Sequence, residues 1–101
     1  MTKPAIKQDL SYTMILKSVG NPNYGQYAPI SNELTITAKN IKGLIVQCSK
    51  YIDKYHLGGG NWPNPEILHP INGNIGYISY NGRAWHKQGS EILGELLTKS
   101  L

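Results

Sequence analysis

At 101 residues, with 40% hydrophobic and 16% charged residues, the chain has the length of one domain and too little charge for a disordered acidic or basic tail. Ten Lys and Arg against six Asp and Glu give a net charge of +4, but nine of the ten are scattered lysines, which excludes a dense arginine-rich recognition strip. Cys48 is the single cysteine and rules out an internal disulfide, and no apolar run approaches membrane-spanning length or a signal-peptide core, so a cytoplasmic, non-membrane protein is expected.

Residues 1–9 are expected to form a flexible N-terminal segment, with residues 10–101 as one α+β domain. "LSYTMILKSV", from Leu10 to Val19, alternates as a strand, with Tyr12, Met14 and Leu16 on one face and Thr13, Ile15 and Lys17 on the other. The stretch Gly20 to Pro29, rich in Gly, Asn and Pro, is a turn-rich loop. Its Tyr24 and Tyr27 either fold back over the core edge or face a ligand. A second strand is expected at Glu33 to Thr37, with Leu34 and Ile36 sharing a face.

Ile41, Leu44, Ile45, Cys48, Tyr51, Ile52 and Tyr55 recur at three- and four-residue steps, which predicts an amphipathic helix over the sheet. Thr37 is the expected cap and Gly58 to Gly60 the expected stop, with Lys39, Lys42, Gln47, Lys50, Asp53 and Lys54 towards solvent. The glycines end a helix and do not open one, so they lack the setting of a phosphate-cradling loop. "GGGNWPNPEILHPINGN" then reads as a crossover, with Trp62 over an end of the domain.

Asn81-Gly82 within "YISYNGRAWH" predicts a hairpin closed by a two-residue turn. In that register Ile78 lies opposite Trp85 and both enter the core, with Gly76 leaving room for the indole. Tyr77, Ser79, Ala84 and His86 project outwards, and Arg83 lays its guanidinium beside a ring. "SEILGELLTKSL" predicts a short terminal helix capped by Ser90, whose Ile92, Leu93, Leu96 and Leu97 pack on the sheet or support self-association. The expected architecture is β-β-α-β-β with a C-terminal helical segment.

His56, His69 and His86 are spaced too widely for a short metal motif, and Cys48, on the apolar stripe of its helix, reads as a core thiol; no metal or cofactor is expected. The reading favoured by these residues is a non-enzymatic protein-binding module, an inhibitor or regulator that contacts a protein partner through Tyr24, Tyr27, Trp62, Tyr77, Ser79, Arg83 and His86. A phage or mobile-element product that blocks a host defence complex is its concrete form. A second reading is nucleic-acid binding, with Lys39, Lys42, Lys50, Arg83 and Lys87 on phosphates and aromatics stacked on bases. A third is metal-independent RNA cleavage, with His86 moving a proton, Arg83 and Lys87 neutralising the phosphate and Tyr77 orienting it.

Overall fold

Alternation along β1 (Tyr12–Leu16) lays down the core face: Tyr12, Met14 and Leu16 are buried, whereas Ile15 is exposed on the other side. A computed structural model describes residues 10–101; the segment 1–9, expected to be flexible, lies outside the described residues. After β1 come β2 (Leu34–Ala38), the helix α1 (Ile41–Tyr55), β3 (Glu66–His69), β4 (Gly73–Ile78), β5 (Ala84–His86) and the short helix α2 (Glu95–Thr98). All five strands pair antiparallel in the order β2-β1-β3-β4-β5, and α1 packs on one face. The expected α+β architecture is present, with β3 added at the centre of the sheet.

β3 is the strand that the crossover hides. Only four residues long, it is bracketed by Pro65 and Pro70, which cannot donate to a ladder and so punctuate both ends. Ile67 between them is fully buried. Ile67 pairs with Gly76 and Leu68 with Asn74, which leaves Ile75 as a bulge; the Asn74 Oδ1 accepts the Gly76 N–H at 2.9 Å and holds the bend.

α1 buries Ile41, Leu44, Cys48 and Tyr51 and packs Ile45, Ile52 and Tyr55 at the core margin, as its periodicity predicts. Its ends differ from expectation. Thr37 stays in β2, and Asn40 caps the helix by accepting the Gly43 N–H at 2.8 Å. At the other end His56 takes the left-handed conformation (φ 53°), and the Leu57 N–H returns to the Ile52 carbonyl at 3.0 Å. That closure burying Leu57 stops the helix before the glycines are reached. Cys48 lies with its Sγ 3.5 Å from Met14 Sδ, and burial pushes its thiol up to about 12, so it is a core thiol.

The hairpin between β4 and β5 closes differently from the two-residue turn. Ser79 N–H donates to the Arg83 carbonyl at 2.9 Å and Gly82 N–H to the Ser79 carbonyl at 3.0 Å, so Tyr80, Asn81 and Gly82 form a three-residue loop. Only Gly82 has a positive φ (78°), the pattern of a type I turn followed by a left-handed residue. The register is therefore Tyr77 opposite Trp85 and Ile78 opposite Ala84.

One residue of slip exchanges the faces. Ile78 and Ala84 go into the core, and Trp85 moves out beside Tyr77, which corrects the expected Ile78–Trp85 anchor. Trp62 fills the interior instead: it is 5% exposed, its Nε1–H donates to the Ile78 carbonyl at 2.9 Å, and its ring packs 6.4 Å from that of Tyr51.

The C-terminal segment is mostly extended. His86 N–H donates to the Ser90 carbonyl and Ile92 N–H to the Ala84 carbonyl, both at 2.8 Å, so residues 90–92 run along β5 and bury Ile92. Helix begins only after Gly94, whose φ of 62° breaks the stretch that Ser90 was expected to cap. α2 packs on α1 and leaves Leu93 and Leu96 exposed.

Gly76 follows from the same register. A Cβ there would stand 1.9 Å from the Trp85 carbonyl oxygen, so the glycine admits the neighbouring backbone and not an indole. Gly76→Ala is expected to lower unfolding free energy by on the order of 3 kcal/mol in a denaturant titration; an unchanged midpoint would contradict the close strand approach.

Candidate interaction surface

The face of the sheet opposite α1 carries no helix among the described residues. Register assembles a row across it: Glu66 on β3 lies opposite Tyr77 on β4, and Tyr77 opposite Trp85 on β5. The Tyr77 and Trp85 rings are stacked, with centroids 6.5 Å apart and planes 18° from parallel. Ser79 fixes the indole by accepting its Nε1–H at 3.0 Å. Strand alternation puts Thr13, Ile15 and Lys17 of the β1 strand and its continuation, Leu68 of β3, and Arg83 and Lys87 around β5 on this same side.

Two shallow grooves cross the face and share Asn64 and Glu66. One, of about 400 Å³, runs past Ile15, Lys17, Glu33 and Leu68. The other, of about 300 Å³, lies between Tyr77, Asn74 and Lys87. The lining thus mixes stiff aromatic and aliphatic area with charges of both signs. The Tyr77 hydroxyl makes no hydrogen bond with a described residue and is open to a partner.

A second exposed element is the 20–30 loop. Tyr24 is 80% exposed and Tyr27 84%, so neither folds back over the core edge. The loop is nevertheless tied down. Buried Asn61 donates from Nδ2 to the Val19 carbonyl (2.9 Å) and to Gln26 Oε1 (2.7 Å), while its Oδ1 accepts the Gly58 N–H at 3.0 Å. Gln26 Oε1 also accepts the Asn21 N–H at 3.2 Å, and buried Ser18 accepts the Ile30 N–H at 2.9 Å. Two exposed rings on a pre-ordered loop lose little further backbone entropy when they are covered.

The sequence-derived contact set is therefore divided. Tyr24, Tyr27, Tyr77, Ser79 and Arg83 stand outside the core; Trp62 is buried and has no free face to offer. His86 lies opposite Gly76 on the α1 side by alternation, not beside Tyr77. Arg83 makes no cation–π contact with a described residue; the one such contact is Lys54 over Tyr55, at 5.3 Å.

The nucleic-acid set also divides: Lys42 and Lys50 belong to α1, and Lys39 precedes it with its Nζ donating to the Leu10 carbonyl at 3.3 Å, whereas Arg83 and Lys87 lie on the opposite sheet face. The four groups of the RNA-cleavage reading are separated in the same way, since His86 faces away from Tyr77, Arg83 and Lys87. His69 is occupied structurally, its Nδ1 accepting the Ile71 and Asn72 N–H groups at 3.1 Å each. Among the described residues no three His, Cys, Asp or Glu side chains are grouped to share a metal ion, and no helix is long and apolar enough to cross a membrane.

Trp85, Ile15, Leu68, Glu66 and Lys17 are surface members that residue-level reading did not select as contacts. Ile15 and Lys17 were visible in the period-two pattern of β1; Trp85 and Glu66 required the register. Comparison with protein-family models, curated proteins and solved structures finds no match to this chain.

Asn61 holds the tyrosine loop through its Nδ2 bonds to Val19 and Gln26, while its Oδ1 bond to Gly58 anchors it in the glycine turn. Asn61→Ala is expected to cost about 3 kcal/mol in stability and to speed native-state chymotrypsin cleavage at Tyr24 and Tyr27. Unchanged cleavage would show that the loop is held by other contacts.

Proposed function

We propose that the chain is a small non-enzymatic protein-binding module, an inhibitor or regulator acting in the cytoplasm, and that its uncovered sheet face is the contact surface. The observation that supports this most is the stacked Tyr77–Trp85 pair on that face, with its indole held by Ser79 and its phenol left open. Aromatics restrained in this way bury large area on binding with little loss of rotamer freedom. Ile15 and Leu68 extend the apolar centre, and Lys17, Glu33, Glu66 and Lys87 supply a rim of both charges. A blocker of a host defence complex, carried by a phage or another mobile element, suits a chain of 101 residues that gives one sheet face to contact.

Nucleic-acid binding would draw on the same two rings together with Arg83 and Lys87. Glu66, directly opposite Tyr77, and Glu33, beside Lys17, weigh against a run of phosphates there. RNA cleavage is disfavoured by the separation of His86 from its proposed partners.

The test is affinity purification from cells of the source organism with tagged wild type and Trp85→Ala, each with and without nuclease. A partner protein is expected to survive nuclease with wild type and to bind Trp85→Ala about 2 kcal/mol more weakly, roughly a 30-fold loss, with melting curves confirming that the variant folds. Loss of the partner on nuclease treatment, or undiminished binding to folded Trp85→Ala, would overturn the reading.

A further inference from the structure

The two edges of the sheet are treated differently. β5 is covered by residues 90–92, which take up the His86 N–H and the Ala84 carbonyl. Among the described residues β2 pairs with β1 alone, through five unbroken partners from Leu34 to Ala38. Its sequence, LTITA, contains neither proline nor lysine, and its pairing shows no bulge, so it lacks the usual guards of an exposed edge. The Thr37 carbonyl is taken by Gln47 Nε2 at 2.9 Å, and at the Leu34 end no described strand other than β1 pairs with β2.

Beside that end lies an apolar groove of about 320 Å³ between β2 and α1, lined by Leu34, Ile36, Tyr51 and Tyr55, with the lysines Lys50 and Lys54 outnumbering the one carboxylate, Glu33. Leu34 is 50% exposed although its cross-strand partner Leu16 is fully buried. Tyr51 is braced: its hydroxyl donates to the Asn32 carbonyl and lies 2.6 Å from the Ser31 hydroxyl. Lys50 and Lys54 are one helical turn apart, and neither forms an ion pair with a described residue.

We propose that this groove takes an extended acidic segment of the partner protein, paired along β2 as a sixth strand with its carboxylates on Lys50 and Lys54; this rests on the protein-binding reading above. Backbone pairing would supply affinity, and the alternate side chains facing the helix would supply specificity. A second copy of the chain fits poorly. Two-fold pairing of β2 with β2 keeps both α1 helices on one side of the joined sheet, where the lysine rows of two +4 chains would confront each other.

The probe is the acetylated peptide Thr-Glu-Thr-Val-Thr-Glu-Thr, which presents Glu, Val and Glu on one face when extended, titrated into the full chain with amide shifts followed by NMR. Shifts are expected over Leu34–Ile36 and Lys50–Tyr55. Binding should weaken about tenfold when both Glu are replaced by Lys or when alternate amides are N-methylated, and Lys50→Glu/Lys54→Glu should reverse the charge preference. No binding, equal binding of the Glu and Lys peptides, shifts centred on Tyr77 and Trp85, or concentration-dependent self-pairing through β2 would each overturn the groove assignment. A null titration alongside a partner retained by wild type and lost by Trp85→Ala removes the groove alone; positive titration with no partner recovered removes the open-face reading alone.

Discussion

The structure depends on how many residues turn the chain between β4 and β5. Three residues, Tyr80 to Gly82, bring Ile78 opposite Ala84, and this pair faces α1. With two residues, the large indole of Trp85 would have to enter a core whose aromatic space is already filled by Trp62 and Tyr51. Gly76 and Ala84 are small where the backbones and the 90–92 segment crowd together, and the close approach at Gly76 leaves no room even for a methyl group. The register is thus held by packing on the core side, and the aromatic stack on the outer side is its consequence.

The same constraint links the core to the uncovered sheet face. Trp62, Ile78, Ala84 and Ile92 belong to the buried set, whereas Tyr77 and Trp85 stand on the uncovered face, so core and outward-facing residues alternate along one hairpin. The loops at the domain end are organised by polar side chains: Asn61 joins the glycine turn to the tyrosine loop, and Ser18, Ser31 and Tyr51 join the following segment to α1. These satisfied buried groups hold exposed rings in place at a modest net gain per bond.

Local pattern made β1 and α1 legible, because Tyr12, Met14 and Leu16 alternate and Ile41, Leu44, Cys48 and Tyr51 follow the helical period. It also disclosed the hairpin and the outward-facing, half-buried Tyr77. It could not assign the two tryptophans: Asn-Gly suits turns of either two or three residues, and the choice lies in contacts distant in sequence, between Gly76 and the Trp85 backbone and between Ala84 and Ile92. β3 was concealed by its prolines and its four-residue length, since a short central strand borrows its order from both neighbours. Helix ends moved for local reasons of the same kind: Asn40 outcompetes Thr37 once β2 extends to Ala38, and His56 adopts a conformation usually left to glycine. Apolar periodicity likewise overstated the terminal helix, because Ile92 is buried in extended chain before Gly94 breaks the run.

The most direct measurement is a two-dimensional NOE spectrum of the full chain, read at Trp85 and Ala84. The account predicts contacts from the Trp85 indole to the Tyr77 ring and Ser79, and from the Ala84 methyl to Ile78 and Ile92. Indole contacts from Trp85 to Leu44 or Cys48, with Ala84 remote from Ile78, would contradict it and remove the aromatic face from the surface.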